Sequence, residues 1–423
     1  MRFINTRWNC VRKEHVFILT ATLVFIAYNF SIYLGTDEEE DYKHPLREDI
    51  NLNIQKSLQE ALMYDKGTGC RMPQLDPFAP EVMQFVETQP EIGCKGFSWV
   101  KCYKSECKVV PEVLKKYVKI VCNYSDILYV NDSSHTLGDV TQVFDSDVYH
   151  LTASDHVFIQ CSAIDPGIYV TKRFFIFPSV STNVTVTWSG YGTGLRPLLP
   201  RKAPPERENT FNVLLFAFDS TSKNGFLRKM PRSHKFLLEE VGATIFNGYN
   251  ILGDGTRAAI LPILTGKTEL ELPNIRTRTS NNTADVLPLI FYKLKADGYH
   301  TAYFEDSPEI GTFNYRFNGF TNQPADHYLR SLLLLEKYNK PYYKDSNKCF
   351  GDTPLHTVMI NITEQFLSLP GKKFVFNFIS VICHDEFNGI SNAEADTFLF
   401  LRNFMNSERK EDTLLIVMGD HGF

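Results

Sequence analysis

From Phe211 to the C-terminus, short apolar runs alternate with longer stretches in which apolar residues recur at helical spacing. The apolar runs read as strands over Asn212–Phe218, Ala243–Leu252, His300–Glu305, Lys373–Ile382 and Thr413–Met418. The helical patterns cover Gly225–Val241, Arg257–Leu264, Ala284–Ala296, Asp326–Tyr338, Asp352–Leu367 and Ala393–Asn406. Strands that alternate with helices in this way predict an α/β domain over 211–423, a mostly parallel sheet with helices on both faces. The stretch 67–199 has another rhythm. Runs such as Lys108–Val110, Tyr117–Cys122, His156–Cys161, Lys172–Ile176 and Asn183–Trp188 are short and bounded by turn residues, which predicts a β-rich module. Between the two, 200–210 holds Pro200, Pro204 and Pro205 with mixed charge and reads as a linker.

The N-terminus has a third pattern. Val16–Leu34 is an uncharged run long enough to span roughly 28 Å as a helix, close to a bilayer's hydrocarbon thickness. Arg2, Arg7, Arg12 and Lys13 precede it and Asp37–Asp41 follow it, which places residues 1–15 in the cytosol. The run predicts a single-pass signal anchor; a cleaved signal peptide, which would give a secreted protein, is the alternative. Residues 35–66 then form a polar stem. Sequons at Asn123, Asn131, Asn183, Asn281 and Asn361 all follow the anchor and suit lumenal glycosylation. Of nine cysteines, eight also follow it, and Cys70, Cys94, Cys102, Cys107, Cys122 and Cys161 crowd the β-rich module. That predicts disulfides in an oxidising compartment, with the pairing left open. Cys349 lies apart, and Cys383 is as readily buried and free as bridged.

Chemistry gathers where the strands end. Asp219 closes the first strand, and Thr256 follows Gly253-Asp254-Gly255 at the start of a helix. Cys383-His384-Asp385 and Asp420-His421 follow the last two strands. Open α/β sheets place their ligands at such carboxyl ends. Carboxylates and imidazoles are ligands for zinc and similar divalent ions, and a threonine hydroxyl becomes a nucleophile when a metal or base removes its proton. Singly, each of these residues also fits a capping or strand-end role; together they predict a metal site. Glu305-Asp306 reads as a polar strand end that could line the same site.

This constellation resembles the alkaline phosphatase/sulfatase superfamily over about Asn212–Phe423. Thr256 to Gly266 is similar to that superfamily's nucleophile helix, with Leu264-Thr265-Gly266 as its close. More closely, Gly248-Tyr249-Asn250, Gly298-Tyr299, Phe304-Glu305-Asp306, Gly319-Phe320 and His384-Asp385 resemble domain-of-unknown-function family 229, whose members are sulfatase-like. The resemblance implies an alkaline-phosphatase-like fold. It also implies hydrolysis of phosphoric or sulfuric esters through a covalent Thr256 intermediate. One divalent metal, zinc by donor type, would be held by Asp219, Thr256, Asp420 and His421, and His384 would belong to a second. Thr256 stands where sulfatases carry an oxidised Cys within Cys-x-Pro-x-Arg, so the pattern is phosphoesterase-like. Ser380 occupies the position expected of a second-metal Asp, which leaves Asp385 or Glu386 to substitute. The resemblance further implies a metal-binding His, a strand and a helix beyond Phe423, so the domain is expected to be incomplete there.

A net charge of −5 gives no broad basic surface for nucleic acid. The expected partners are the membrane, through the anchor, and an ester-bearing small molecule or glycan, with the protein at the Golgi or the cell surface. Two alternatives compete: an inactive ectodomain that uses the same fold for binding and, more remotely, a Golgi glycosyltransferase using Asp145-Ser146-Asp147.

Overall fold

Along Asn212–Phe218, Leu214, Phe216 and Phe218 enter one apolar core while Leu215 and Ala217 enter another. Side chains on a strand point alternately to opposite faces, so this strand lies in a sheet covered on both sides. The computed structural model describes residues 75–166, 184–207, 210–339 and 343–423, and Asp76–Phe423 form one unit. The expected cytosolic tail, anchor and stem, Cys70, Asn183 and the run Lys172–Ile176 lie outside the described residues. Among the described residues no helix is long and apolar enough to cross a membrane.

The β-rich part comes first. Helix α1 (Pro80–Met83) precedes strands β1 (Val100–Tyr103) and β2 (Glu106–Val109), then helix α2 (Pro111–Lys116) and the long β3 (Val118–Asn131). Strands β4 (Ser134–Leu137), β5 (Thr141–Phe144), β6 (Tyr149–His150), β7 (His156–Asp165) and β8 (Val184–Thr193) complete it. One antiparallel sheet runs β1-β2-β6; the other runs β4-β3-β7-β8, with β5 also on β3. Cys102–Cys107 and Cys122–Cys161 are bridged within this part, and Cys94 is bridged to Cys349, 255 residues away.

The second part runs β9 (Asn212–Phe218), α3 (Lys223–Lys229), α4 (Pro231–Lys235), α5 (Gly255–Thr265), α6 (Ile290–Ala296), β10 (His300–Glu305) and β11 (His327–Tyr328). Then follow α7 (Arg330–Asn339), β12 (Cys349–Phe350), β13 (Thr353–Pro354), α8 (Leu355–Leu367), β14 (Lys373–Ile379), α9 (Glu394–Met405) and β15 (Thr413–Gly419). The sheet order is β11-β10-β14-β9-β15, parallel at every pairing. Helices α7, α8 and α9 pack on one face; α5 and α6 pack on the other. The expected parallel, two-faced α/β domain is therefore present.

Four expected elements differ. Ala243–Leu252 is not a strand: it has no ladder partner, Phe246, Tyr249 and Leu252 are exposed, and a turn at Phe246–Tyr249 breaks the run. Gly225–Val241 is not one helix, because Pro231 ends α3 and opens α4. Ala284–Ala296 is not one helix: a 3-10 turn over Ala284–Val286 is followed by α6, which starts beyond Pro288. The expected helix from Asp326 also starts later, at Arg330, after β11 has joined the sheet edge.

Buried ion pairs cross from the β-rich part and the segment after it onto the sheet. Asp155 accepts Arg196 Nη1 at 2.8 Å and meets His327 Nδ1 at 3.0 Å. Asp132 accepts the Asn314 amide, the Phe320 N–H and the Tyr328 hydroxyl at 2.7, 2.8 and 3.1 Å. The Asp155 carboxyl is held low, to about 2: burial alone would raise it, but the His327 and Arg196 partners outweigh that.

Candidate metal centre at the sheet's carboxyl edge

The site forms where β9 and β15, adjacent and in register, end together at Phe218 and Gly419. Asp219 and Asp420 follow directly, each only 2 % exposed. Asp420 Oδ1 is fixed by two backbone donors, Ser220 N at 2.9 Å and His421 N at 2.8 Å. Its Oδ2 has no hydrogen-bond partner and lies 3.4 Å from His421 Nε2. Asp219 Oδ1 accepts the Ser220 hydroxyl at 3.1 Å and stands 3.8 Å from the same imidazole nitrogen.

The tautomer of His421 follows from its other nitrogen. Nδ1 lies 2.8 Å from the Gly422 carbonyl oxygen, which can only accept, so Nδ1 carries the proton. In the neutral imidazole, Nε2 then turns a lone pair toward the two carboxylates. One ligand atom each from Asp219, Asp420 and His421 lie within 4.8 Å of one another. Thr256 completes the group: its Oγ1 is 3.2 Å from His421 Nε2 and 3.4 Å from Asp219 Oδ1.

Thr256 reaches this place through the glycine turn. Gly253 and Gly255 have φ of +145° and +78°, and a Cβ on Gly253 would stand 2.5 Å from that of Ala258. Only glycine meets both conditions without strain. Helix α5 then begins at Gly255, so Thr256 lies in its first turn, where N–H groups lack intrahelical acceptors and the helix dipole is positive.

The electrostatics are those of crowded acids. Burial, and then the neighbouring Asp420 charge, push the Asp219 carboxyl up to about 6, against the hydrogen bonds of Ser380 and Ser220 and the His384 charge. A further carboxylate stands behind it. Asp306, at the end of β10, is 1 % exposed. Its Oδ1 accepts the N–H groups of Ser380 and Val381 at 2.7 and 3.1 Å, while its Oδ2 has no hydrogen-bond partner. Burial pushes its carboxyl up to about 7; the two N–H groups oppose this, and Glu305 and Asp219 add to it. The same three aspartates and its own burial raise the Cys383 thiol far above its ordinary value, so it stays protonated. Cys383 is free and buried.

The sequence expectation thus divides. Asp219, Thr256, Asp420 and His421 come together. His384, expected at a second metal, lies outside this group: its Nδ1 is 2.8 Å from Asp385 Oδ1, and its side chain is 36 % exposed. Asp385 is exposed beside it, and Glu386 pairs with Lys348. Asp306 is the residue that strand-end reasoning undervalued. Its cue was present, since it follows a buried strand, as Asp219 does. Asp145 accepts the Ile120 N–H at 2.9 Å in a turn after β5, and Asp145 and Asp147 are exposed with no third ligand. Asn281 and Asn361 are exposed, and Asn123 and Asn131 are half-buried on β3.

The profile of DUF229, described as a protein of unknown function, matches residues 83–423. Comparison with curated proteins and with solved structures finds no match.

Proposed function

The chain belongs to the DUF229 family through residues 83–423, and from that premise and the strand-end geometry we propose that it is a metal-dependent hydrolase of phosphoric or sulfuric esters, sulfatase-like and related to the alkaline phosphatases. The observation that carries the reading is the clustering of the Asp219, Asp420 and His421 ligand atoms within 4.8 Å, with the Thr256 hydroxyl 3.2 Å from His421 Nε2. An orphaned, buried Asp420 Oδ2 and an imidazole Nε2 facing two carboxylates fit a divalent cation. Mixed oxygen and nitrogen donors suit zinc or manganese. Among the described residues one such group exists, which supports one metal per chain.

When bound, the metal would lower the pKa of the threonine hydroxyl and offset charge on the reacting ester. The protein's own groups do the rest. Gly253 and Gly255 place Thr256 Oγ1 at the carboxylates, and the first turn of α5 favours an anion in front of it. Oγ1 forms a bond to phosphorus or sulfur, and the ester oxygen leaves with the bonding pair and takes up a proton. Water then releases phosphate or sulfate and restores the hydroxyl, so one ester and one water give one alcohol and one acid. The three disulfides among the described residues favour an oxidising compartment, in keeping with a lumenal or extracellular site behind an anchor at 16–34.

The test is elemental analysis and ester turnover of the purified protein beside Asp219→Ala, Asp420→Ala and Thr256→Ala. The reading expects one divalent ion per chain, lost in both aspartate variants and kept in Thr256→Ala, which no longer turns over. A folded protein that binds no divalent ion would refute it and leave the non-catalytic binding role.

A further inference from the structure

One residue past Thr256, Arg257 begins a stack of alternating cations and rings. Its Cζ lies 5.3 Å from the Tyr315 ring centroid and 5.3 Å from that of Phe317. Arg316 Cζ lies 4.8 Å from the Tyr315 ring, and Arg276 Cζ lies 5.7 Å from the Phe317 ring. The order is therefore Arg316, Tyr315, Arg257, Phe317, Arg276. Phe317 is buried and Arg257 half-buried, whereas Arg276, Tyr315 and Arg316 are exposed.

The charge in this ladder is not balanced. Arg276 is paired with Glu269. Among the described residues no carboxylate lies in ion-pair range of Arg257 or Arg316. Arg257 Nη1 donates to the Tyr315 carbonyl at 2.7 Å, but its buried Nε has no acceptor. Burial, then the Arg316 and Arg276 charges, lower the Arg257 pKa from its ordinary value. Three guanidinium groups that repel one another, with one carboxylate among them, are stabilised when an anion arrives.

The ladder is also held in place before anything binds. Residues 276 and 317 form a backbone bridge. Thr277 N donates to the Arg316 carbonyl at 3.0 Å, and Asn318 N donates to the Ile275 carbonyl at 3.1 Å. Guanidinium groups stacked on rings keep their edges for bidentate bonds to phosphate, sulfate or carboxylate. Because they are already ordered, little side-chain entropy is lost on binding.

We propose that this ladder is an anion subsite beside Thr256 and that the substrate is a polyanionic ester, one anionic group reacting at Thr256 and others seated on Arg257 and on Arg316. The substrate half of this inference rests on the hydrolase reading; the anion site does not. Titration calorimetry on the full chain in EDTA and low salt, with sucrose octasulfate, tripolyphosphate and citrate as separate probes, tests it and tells sulfate, phosphate and carboxylate apart. At least one probe should bind. Its affinity should fall about tenfold in Arg316→Gln and in Arg257→Gln, the worth of one charge-assisted hydrogen bond each. It should be unchanged in Arg402→Gln, a cation stacked on Phe398 on helix α9. Arg316 is exposed, so that variant reports even if Arg257→Gln folds poorly. Failure of every probe to bind, or equal loss in Arg402→Gln, overturns the subsite. Ladder binding in a protein that hydrolyses no ester removes the proposed reaction and leaves the anion site standing.

Discussion

Replacing Asp306 with asparagine isolates the buried acid behind the metal centre. Asn keeps an oxygen for the Ser380 and Val381 N–H groups, which Asp306 Oδ1 accepts at 2.7 and 3.1 Å, and removes only the charge. Burial raises the folded-state carboxyl from 3.8 to about 7. A raised carboxyl binds its proton more tightly in the folded than in the unfolded chain. Its contribution is therefore complete below pH 3.8 and is lost as pH rises to 7. About three units correspond to about 4 kcal/mol lost by pH 8, of which roughly 2.5 kcal/mol falls between pH 5 and pH 7. Asp306→Asn should remove that slope. Urea unfolding in EDTA, at pH 5 and pH 8, measures it. The variant should be more stable than wild type at both, by ~1–2 kcal/mol at pH 5 and by ~4 kcal/mol at pH 8. A variant with the wild-type pH slope, or one destabilised equally at both pH values, would show that Asp306 is ionised and compensated in the folded protein, and the reasoning would fail.

Other outcomes follow from single residues. Thr256→Ala leaves three metal ligands in place, so metal content should hold while turnover falls by ~10³-fold or more, read by steady-state kinetics. His384→Ala should leave metal stoichiometry at the wild-type value by elemental analysis, because His384 lies outside the ligand cluster. Cys94→Ala/Cys349→Ala opens a closure of 255 residues, and denaturant unfolding should show a loss of about 3–5 kcal/mol. Gly253→Ala meets a Cβ contact of 2.5 Å and a φ of +145°; it should displace the start of α5 and Thr256 with it, so turnover falls in steady-state kinetics while metal content holds.

The strands carrying the site were readable as short, largely apolar stretches between polar or helical segments. Asn212–Phe218 and His300–Glu305 match their expected bounds residue for residue. The carboxyl-end rule then pointed to Asp219 and Asp420 without any structure. What the sequence hid was long-range. Nothing local says that Cys94 meets Cys349, because pairing depends on how the β-rich part lies against the sheet. Ala243–Leu252 has strand composition but no ladder partner, and only the tertiary arrangement exposes Phe246. His384 shares its motif with Asp385, and the short-range bond between them is one the sequence did not specify.

The metal reading does not depend on family likeness alone. Asp219, Asp306 and Asp420 are each at most 2 % exposed and act on one another and on the same thiol. Three carboxylates in so small a volume cannot all be ionised without a counter-charge. No lysine or arginine pairs with any of the three among the described residues, and His421 Nε2 faces two of them, 3.4 Å from Asp420 and 3.8 Å from Asp219. Protons and a metal ion are two ways to supply the counter-charge. Protons can neutralise the acids, which is the state described by the raised Asp219 and Asp306 values. A divalent cation can replace those protons at the Asp219, Asp420 and His421 ligands, leaving Asp306 to hold the turn at Ser380. The two are linked, since ligands must lose protons to bind a metal. Metal uptake near neutral pH should therefore release protons, and affinity should rise steeply from pH 5 to pH 7, through the Asp219 value of about 6. Calorimetry of zinc binding in buffers of different ionisation enthalpy counts those protons. Zinc binding with no proton release and no dependence on pH across that window would mean that the acids are not what holds the ion.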